Sequence, residues 1–126
     1  MQAPDIPAPE AQFRRFLVEG RFMLQRCRTS GRHFFPPRLA EPGTGSQDLE
    51  WVPASGRGTL HAITVVPRKP PQPAHTLVLV DLEEGPRMLS VLVSGAPEAM
   101  AIGAALAARV ATEGGQPLVV FEPAKD

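Results

Sequence analysis

The sequence has little cysteine, no excess charge and no long apolar run, and each of these features excludes a class of protein. With one Cys in 126 residues, no disulfide can form within the chain. The 13 Lys and Arg balance 13 Asp and Glu, so no net charge attracts a polyanion. No apolar run approaches the roughly 20 residues of a membrane span, and the N-terminus lacks the basic-then-apolar order of a signal peptide. We therefore expect a cytoplasmic protein without a membrane segment.

Proline, in contrast, is abundant. The 15 prolines favour short strands and loops over long helices. We expect residues 1–8, with two of these prolines, to form an extended or disordered lead. One short helix is predicted over residues 9–19, where Phe13, Phe16 and Leu17 share a face. That helix either packs on its own domain, or docks on a partner or over a ligand channel.

Alternating apolar and polar residues predict the strands. A first hairpin is expected at residues 21–28 and 32–35, and further strands at 59–66, 77–82, 88–93 and 118–121. In the strand 59–66, alternation places Leu60, Ala62, Thr64 and Val66 on one face. Residues 104–111 are ambiguous, because AALAARVA favours a helix by intrinsic propensity.

Short motifs follow one another in a fixed order along residues 11–124. They are Gln25-Arg26-Cys27, Gly31-Arg32, Phe35-Pro36-Pro37-Arg38, Gly45-Ser46, Asp48-Leu49-Glu50-Trp51 and Ser55-Gly56-Arg57-Gly58-Thr59. In this order they resemble a family of small proteins in which an N-terminal helix and a rubredoxin-like zinc ribbon precede a C-terminal OB-fold. Members of that family are acyl-CoA-associated partners of thiolases and related enzymes.

The resemblance implies a mostly β protein in three parts. These are a lead and short helix at 1–20, a degenerate zinc-ribbon-like arm at 21–53 and a five-stranded OB-fold barrel at 54–126. It also makes residues 104–111 a strand, because the strand at 118–121 needs a neighbour to close the barrel.

The same resemblance locates the former zinc ligands at Cys27, Ser30, Glu41 and Thr44. Zinc ribbons use thiolates at such positions, and a neutral hydroxyl is a far poorer ligand. We therefore expect no bound zinc, and we expect the four residues to lie close together. One alternative metal site would combine Cys27 and Glu41 with His33.

Without metal, an apolar cluster would have to stabilise the ribbon. The predicted members are Phe34, Phe35, Leu39, Leu49 and Trp51.

The resemblance implies a non-catalytic accessory subunit that helps to bind or channel a CoA ester for a thiolase-like or hydratase enzyme. No nucleophile and base occur together in the sequence, and His33, His61 and His75 stand apart. From their charge and predicted loop positions, four cations are candidates for contacts with the phosphates of acyl-CoA: Arg57, Arg68, Lys69 and Arg87.

Binding of single-stranded nucleic acid, a common OB-fold activity, is the alternative. It requires a basic groove and aromatic stacking platforms. Between residues 56 and 126 the only Phe, Trp or Tyr is Phe121. The sequence therefore argues against a nucleic-acid partner.

Overall fold

The computed structural model describes residues 8–71, 75–94 and 97–124. The predicted extended lead falls almost wholly outside the described residues. Within these ranges the elements in chain order are one α-helix, α1 (Pro9–Val18), and eight strands: β1 (Met23–Cys27), β2 (His33–Phe34), β3 (Leu49–Pro53), β4 (Arg57–Val66), β5 (His75–Leu82), β6 (Arg87–Val91), β7 (Ala105–Glu113) and β8 (Gln116–Pro123). A short 3-10 turn, Pro97–Ala99, precedes β7.

Helix α1 packs against both the ribbon and the barrel. Pro9 begins the helix, where its missing N–H costs nothing, and Gly20 follows its end with a φ of 78°. Leu17 is buried in the same apolar core as the barrel strands. Phe13 packs edge-on against Phe22 and Phe35. The helix therefore packs on its own chain, and with ten residues it is too short to span a bilayer, as is any helix in the described segments.

Strands β1, β2 and β3 form a small antiparallel sheet, in the order β2-β1-β3. Gln25 on β1 is buried, and its side chain pairs with the backbone of Arg38. The Gln25 Nε2 donates to the Arg38 carbonyl at 2.8 Å, and the Arg38 N–H donates to Gln25 Oε1 at 2.6 Å. These two bonds attach the Pro-rich segment after β2 to the sheet, where Pro cannot donate to a ladder.

The remaining strands form a five-stranded sheet in the order β6-β5-β4-β7-β8. It curls into a nearly closed barrel, since Leu92 bridges to Phe121 and the Val93 N–H donates to the Phe121 carbonyl at 2.9 Å. The expected fold class is confirmed: the chain is mostly β, with one helix, a ribbon and an OB-like barrel. The fully buried core includes Leu60, Val78, Val80, Leu106, Val120 and Phe121.

The ambiguous segment is a strand from Ala105 onward. Strand β7 pairs with β8 from Leu106 opposite Pro123 to Glu113 opposite Gln116. Leu106 is buried in the barrel core. Pairing and burial therefore override the helix propensity of the alanines.

Two predictions about side-chain orientation are wrong. The pairing of β4 with β5 shifts register between Leu60 and Ala62, so a bulge at this point reverses the alternation, and Leu60 is followed into the core by Ile63. In the ribbon, Leu39 is 69% exposed and does not join the predicted apolar cluster. Phe35 and Trp51 instead pack against Phe13 of the helix.

Candidate functional site

Two turns with the same construction face each other at the end of the ribbon. In the first, the Gly31 N–H donates to the Cys27 carbonyl at 2.8 Å, and in the second the Gly45 N–H donates to the Glu41 carbonyl at 2.9 Å. Gly31 and Gly45 have φ values of 76° and 74°, which side chains other than glycine rarely tolerate. The two turns are therefore equivalent in the hydrogen bond that closes them and in the glycine at their end.

The carboxylate of Glu41 links the two turns. Its Oε2 accepts a hydrogen bond from the Ser30 hydroxyl at 2.5 Å, and its Oε1 accepts one from the Thr44 hydroxyl at 2.5 Å. The Arg32 Nε also donates to Oε2, at 3.2 Å, although Glu41 itself is buried. We call Cys27, Ser30, Arg32, Glu41 and Thr44 the carboxylate cluster.

These contacts determine the charge of Glu41. Hydrogen bonds from Ser30 and Thr44, followed by that from Arg32, lower the pKa of the Glu41 carboxyl to about 2, against the opposing effect of burial. A buried carboxylate is stable when hydrogen bonds and a cation stabilise its ionised form. Glu41 is therefore an anion across the physiological range.

Cys27 is fully buried at the end of β1, in the same turn as Ser30. Hydrogen bonding from the backbone of Ser30, and then from the Ser46 hydroxyl, lowers the pKa of the thiol, although burial opposes the shift. Hydrogen-bond donors therefore surround the Cys27 sulfur, as they surround a zinc-binding thiolate in a ribbon turn, but the sulfur is not exposed to bulk water.

The cluster does not fit zinc. Zinc in such ribbons takes four thiolate or imidazole ligands at about 2.0–2.3 Å. Here one thiol and one carboxylate are present, both carboxylate oxygens already accept hydroxyl hydrogen bonds, and the Arg32 cation would repel a metal. In the described ranges no group of three or more His, Cys, Asp or Glu side chains is arranged to hold a metal, so His33 does not complete the alternative site.

Arg57 and Arg87, two of the candidate phosphate contacts, lie at one end of the barrel. Arg57 begins β4 and Arg87 begins β6, and both strands meet the end of β5 there. The Arg57 Nε lies 3.8 Å from Glu83 Oε2, whereas the Arg87 Nε donates to Asp81 Oδ1 at 2.7 Å. Arg57 is the more available of the two, because its side chain is 81% exposed.

The other two candidates, Arg68 and Lys69, lie elsewhere. They follow Val66, the last residue of β4, and ten strand residues span about 30 Å. The four cations therefore do not form one cluster.

An apolar groove of about 390 Å³ lies between α1 and the barrel. Its lining comes from three parts of the chain: Phe13, Arg14 and Leu17 of α1; Leu77 and Met88–Val91 of β5 and β6; and Pro117–Val119 of β8. The sequence suggested a ligand channel beside the helix only as one alternative, and it did not identify the walls of this groove, because they are far apart in the chain. It also did not assign Arg32 to the carboxylate cluster or Ser46 to the donors around Cys27, although both directly follow residues of the turns.

Fold and site together define a protein class: a zinc-ribbon-like arm, with a carboxylate at the knuckles, joined to an OB-fold barrel. Comparison with family models gives the same division. The rubredoxin-like zinc ribbon domain of ChsH2 matches residues 14–50, and the C-terminal OB-fold domain of ChsH2 matches residues 51–111. The chain belongs to this family, also called DUF35.

Two curated relatives are longer than this chain. A probable enoyl-CoA hydratase alpha subunit of Thermomonospora curvata is 36% identical over 87 residues, which are 66% of this chain and 27% of that subunit. A DUF35 domain-containing scaffold protein of Pyrococcus furiosus is 35% identical over 91 residues, 68% of this chain and 65% of that protein. The chain thus spans about a quarter of the first and less than two thirds of the second.

Solved structures match over more of the chain. A chain of an Ltp2-ChsH2(DUF35) aldolase has a TM-score of 0.83 and 29% identity, with 98% of this chain and 100% of that chain covered. A DUF35 protein of unknown function from Sulfolobus solfataricus has a TM-score of 0.64 at 17% identity, and the match covers 94% of this chain and 86% of that chain. This likeness shows a shared fold.

Proposed function

We propose that this protein is a non-catalytic accessory subunit in acyl-CoA metabolism. It associates with a thiolase-like or hydratase enzyme and helps to bind or channel the CoA ester. The match to the chain of the Ltp2-ChsH2(DUF35) aldolase carries this proposal, because it covers the whole of that chain and nearly all of this one. The name of that aldolase gives two components, Ltp2 and the DUF35 protein ChsH2.

The accessory role is supported by the relatives' names. The Pyrococcus furiosus relative is named a scaffold protein. The hydratase name belongs to a subunit of which this chain matches only 27%. Neither name therefore requires this chain to carry the reacting groups, and the partner is inferred to supply them. We also propose that the ribbon needs no zinc, on the strength of the bonds to Glu41.

The OB-fold barrel is the part proposed to meet the CoA ester. Arg57 and Arg87 form one candidate phosphate site, and Arg68 and Lys69 the other. A guanidinium is suited to phosphate because its planar fork donates two parallel hydrogen bonds. Arg57 supports the first site, because its ion pair with Glu83 is long, at 3.8 Å, and exposed. Such a pair is weak, so a phosphate can replace Glu83 as the partner of the guanidinium.

The single-strand-binding alternative receives no support from the barrel. Phe121 is fully buried in the core and offers no face on which a base could stack.

Isothermal titration with CoA and acetyl-CoA, and with an oligonucleotide at low and moderate salt, tests the proposal. We expect CoA to bind, and we expect Arg57→Gln with Arg87→Gln to weaken that binding at least about tenfold. The matched control is Arg68→Gln with Lys69→Gln. Loss only in the control pair would move the phosphate site to the other end of β4. Salt-sensitive oligonucleotide binding with no response to CoA would overturn the proposed function.

A further inference from the structure

The barrel is weakly closed between β6 and β8. Among the described residues, the closure consists of the parallel bridge from Leu92 to Phe121, the hydrogen bond from the Val93 N–H to the Phe121 carbonyl, and a hydrogen bond from the Ser90 hydroxyl to the Val119 carbonyl. A groove of about 390 Å³ lies beside this junction, lined by residues of β6 and β8 together with residues of α1 and Leu77 of β5. Its volume lies within the range of about 300–1,000 Å³ found for small-molecule sites.

Apolar side chains dominate the lining of this groove. Leu77, Val91 and Leu118 contribute to its walls, and Leu89 remains 63% exposed. An exposed leucine beside an apolar groove leaves apolar area in water that an apolar occupant would cover.

Only two lining side chains carry polar groups. Ser90 already donates its hydroxyl proton to Val119. Arg14 is exposed on α1, and no hydrogen bond or ion pair involves its side chain within the described part of the chain. The groove therefore offers an apolar channel with one available cationic donor.

We propose that this groove binds the acyl chain of the CoA ester. The inference rests on the proposed function and adds a chain-binding site to it. The chain lies against Leu77, Leu89 and Leu118, and the Arg14 guanidinium donates to the thioester carbonyl or meets the anionic remainder of the ligand. An apolar chain attached to an anionic head matches this combination of groups better than a wholly apolar or a wholly charged ligand does.

Chain-length dependence is the direct test. The dissociation constants of CoA, acetyl-CoA and octanoyl-CoA are measured on the full chain by isothermal titration. Each buried methylene is worth about fourfold in affinity, so partial burial of the six added methylenes predicts octanoyl-CoA binding at least about tenfold tighter than acetyl-CoA.

Two variants locate the effect. Leu89→Gln places a polar group in the groove, and we expect it to remove most of the octanoyl advantage while the affinity for CoA stays unchanged. Val18→Gln is the matched control, because Val18 is 74% exposed on α1 and does not line the groove. Both positions are exposed, so neither change should unfold the protein. Arg14→Gln should weaken both esters by a few-fold or more.

The outcomes separate the two proposals. Equal affinity for CoA, acetyl-CoA and octanoyl-CoA would overturn the acyl groove and leave the accessory function standing. An octanoyl preference that survives Leu89→Gln, or that Val18→Gln removes equally, would also overturn the groove. No binding of any of the three ligands would overturn the CoA contact on which both proposals depend.

Discussion

Replacing Ser30 with Ala removes one of the two hydroxyls that hold the carboxylate linking the ribbon turns. A hydrogen bond to an ionised group contributes about 1.5–3 kcal/mol, and removal leaves a buried acceptor less satisfied. For a domain of this size, that loss corresponds to a Tm lower by about 5–10 °C. Thr44→Ala removes the second hydroxyl and should have a similar effect.

The effect depends on pH in a defined direction. The pKa of Glu41 is about 2 in the folded chain, below the ordinary 4.5. As pH falls, the unfolded chain takes up this proton first, so acid favours unfolding. The stabilisation from Glu41 is complete above pH 4.5 and is lost as pH falls towards 2. Glu41→Gln should abolish this dependence, and the cost of Ser30→Ala should shrink over the same window.

Thermal unfolding followed by circular dichroism at pH 7, 4 and 2.5 measures these differences. Thr29→Ala is the matched control, since Thr29 lies in the same turn but its hydroxyl is exposed and 3.5 Å from Asp48, too far for a strong bond. We expect the control to melt with the wild type. The reasoning is refuted if Ser30→Ala also melts with the wild type at pH 7, or if its deficit is the same at all three pH values.

Two further predictions concern the ribbon turns and the barrel. The triple variant Ser30→Cys, Glu41→Cys, Thr44→Cys should complete a four-thiolate site with Cys27, bind one zinc ion and show a Tm that depends on zinc. A chelator should leave the Tm of the wild type unchanged. Unfolding of the wild type on addition of the chelator would contradict the prediction that the ribbon needs no metal. Gly58→Ala should cost about 1–3 kcal/mol in urea unfolding, because the new Cβ would meet Val80 Cγ1 at 2.5 Å and the Asp81 carbonyl at 2.9 Å. The exposed change Thr64→Ala serves as its control, and equal stability of the two would count against the tight contact.

The parts of this fold that local patterns specify were predictable. Alternating residues and turn glycines predict the hairpins, because a strand period of two and a positive φ depend on neighbouring residues. The spacing of Cys27, Ser30 and Gly31, repeated at Glu41, Thr44 and Gly45, likewise defines two equivalent turns.

The orientation of side chains and the type of some elements could not be predicted from the sequence. The bulge in β4 was missed, because one extra residue in a strand leaves no mark on composition. Residues 104–111 read as helix by propensity, and only the neighbouring β8 makes them a strand. Leu39 was expected in the apolar cluster of the ribbon, but it is exposed, and Phe35 instead packs against Phe13 of the helix.

By itself, then, the sequence determined the order of elements, the two turns and the absence of a thiolate set for zinc. Tertiary structure alone decided what lies between elements. Trp51 donates its indole N–H to Gln12 across 39 positions, and Glu41 joins Ser30 across 11. The groove under α1 likewise combines residues from both ends of the chain. Such contacts depend on how separate segments pack, and no local pattern in the chain encodes that packing.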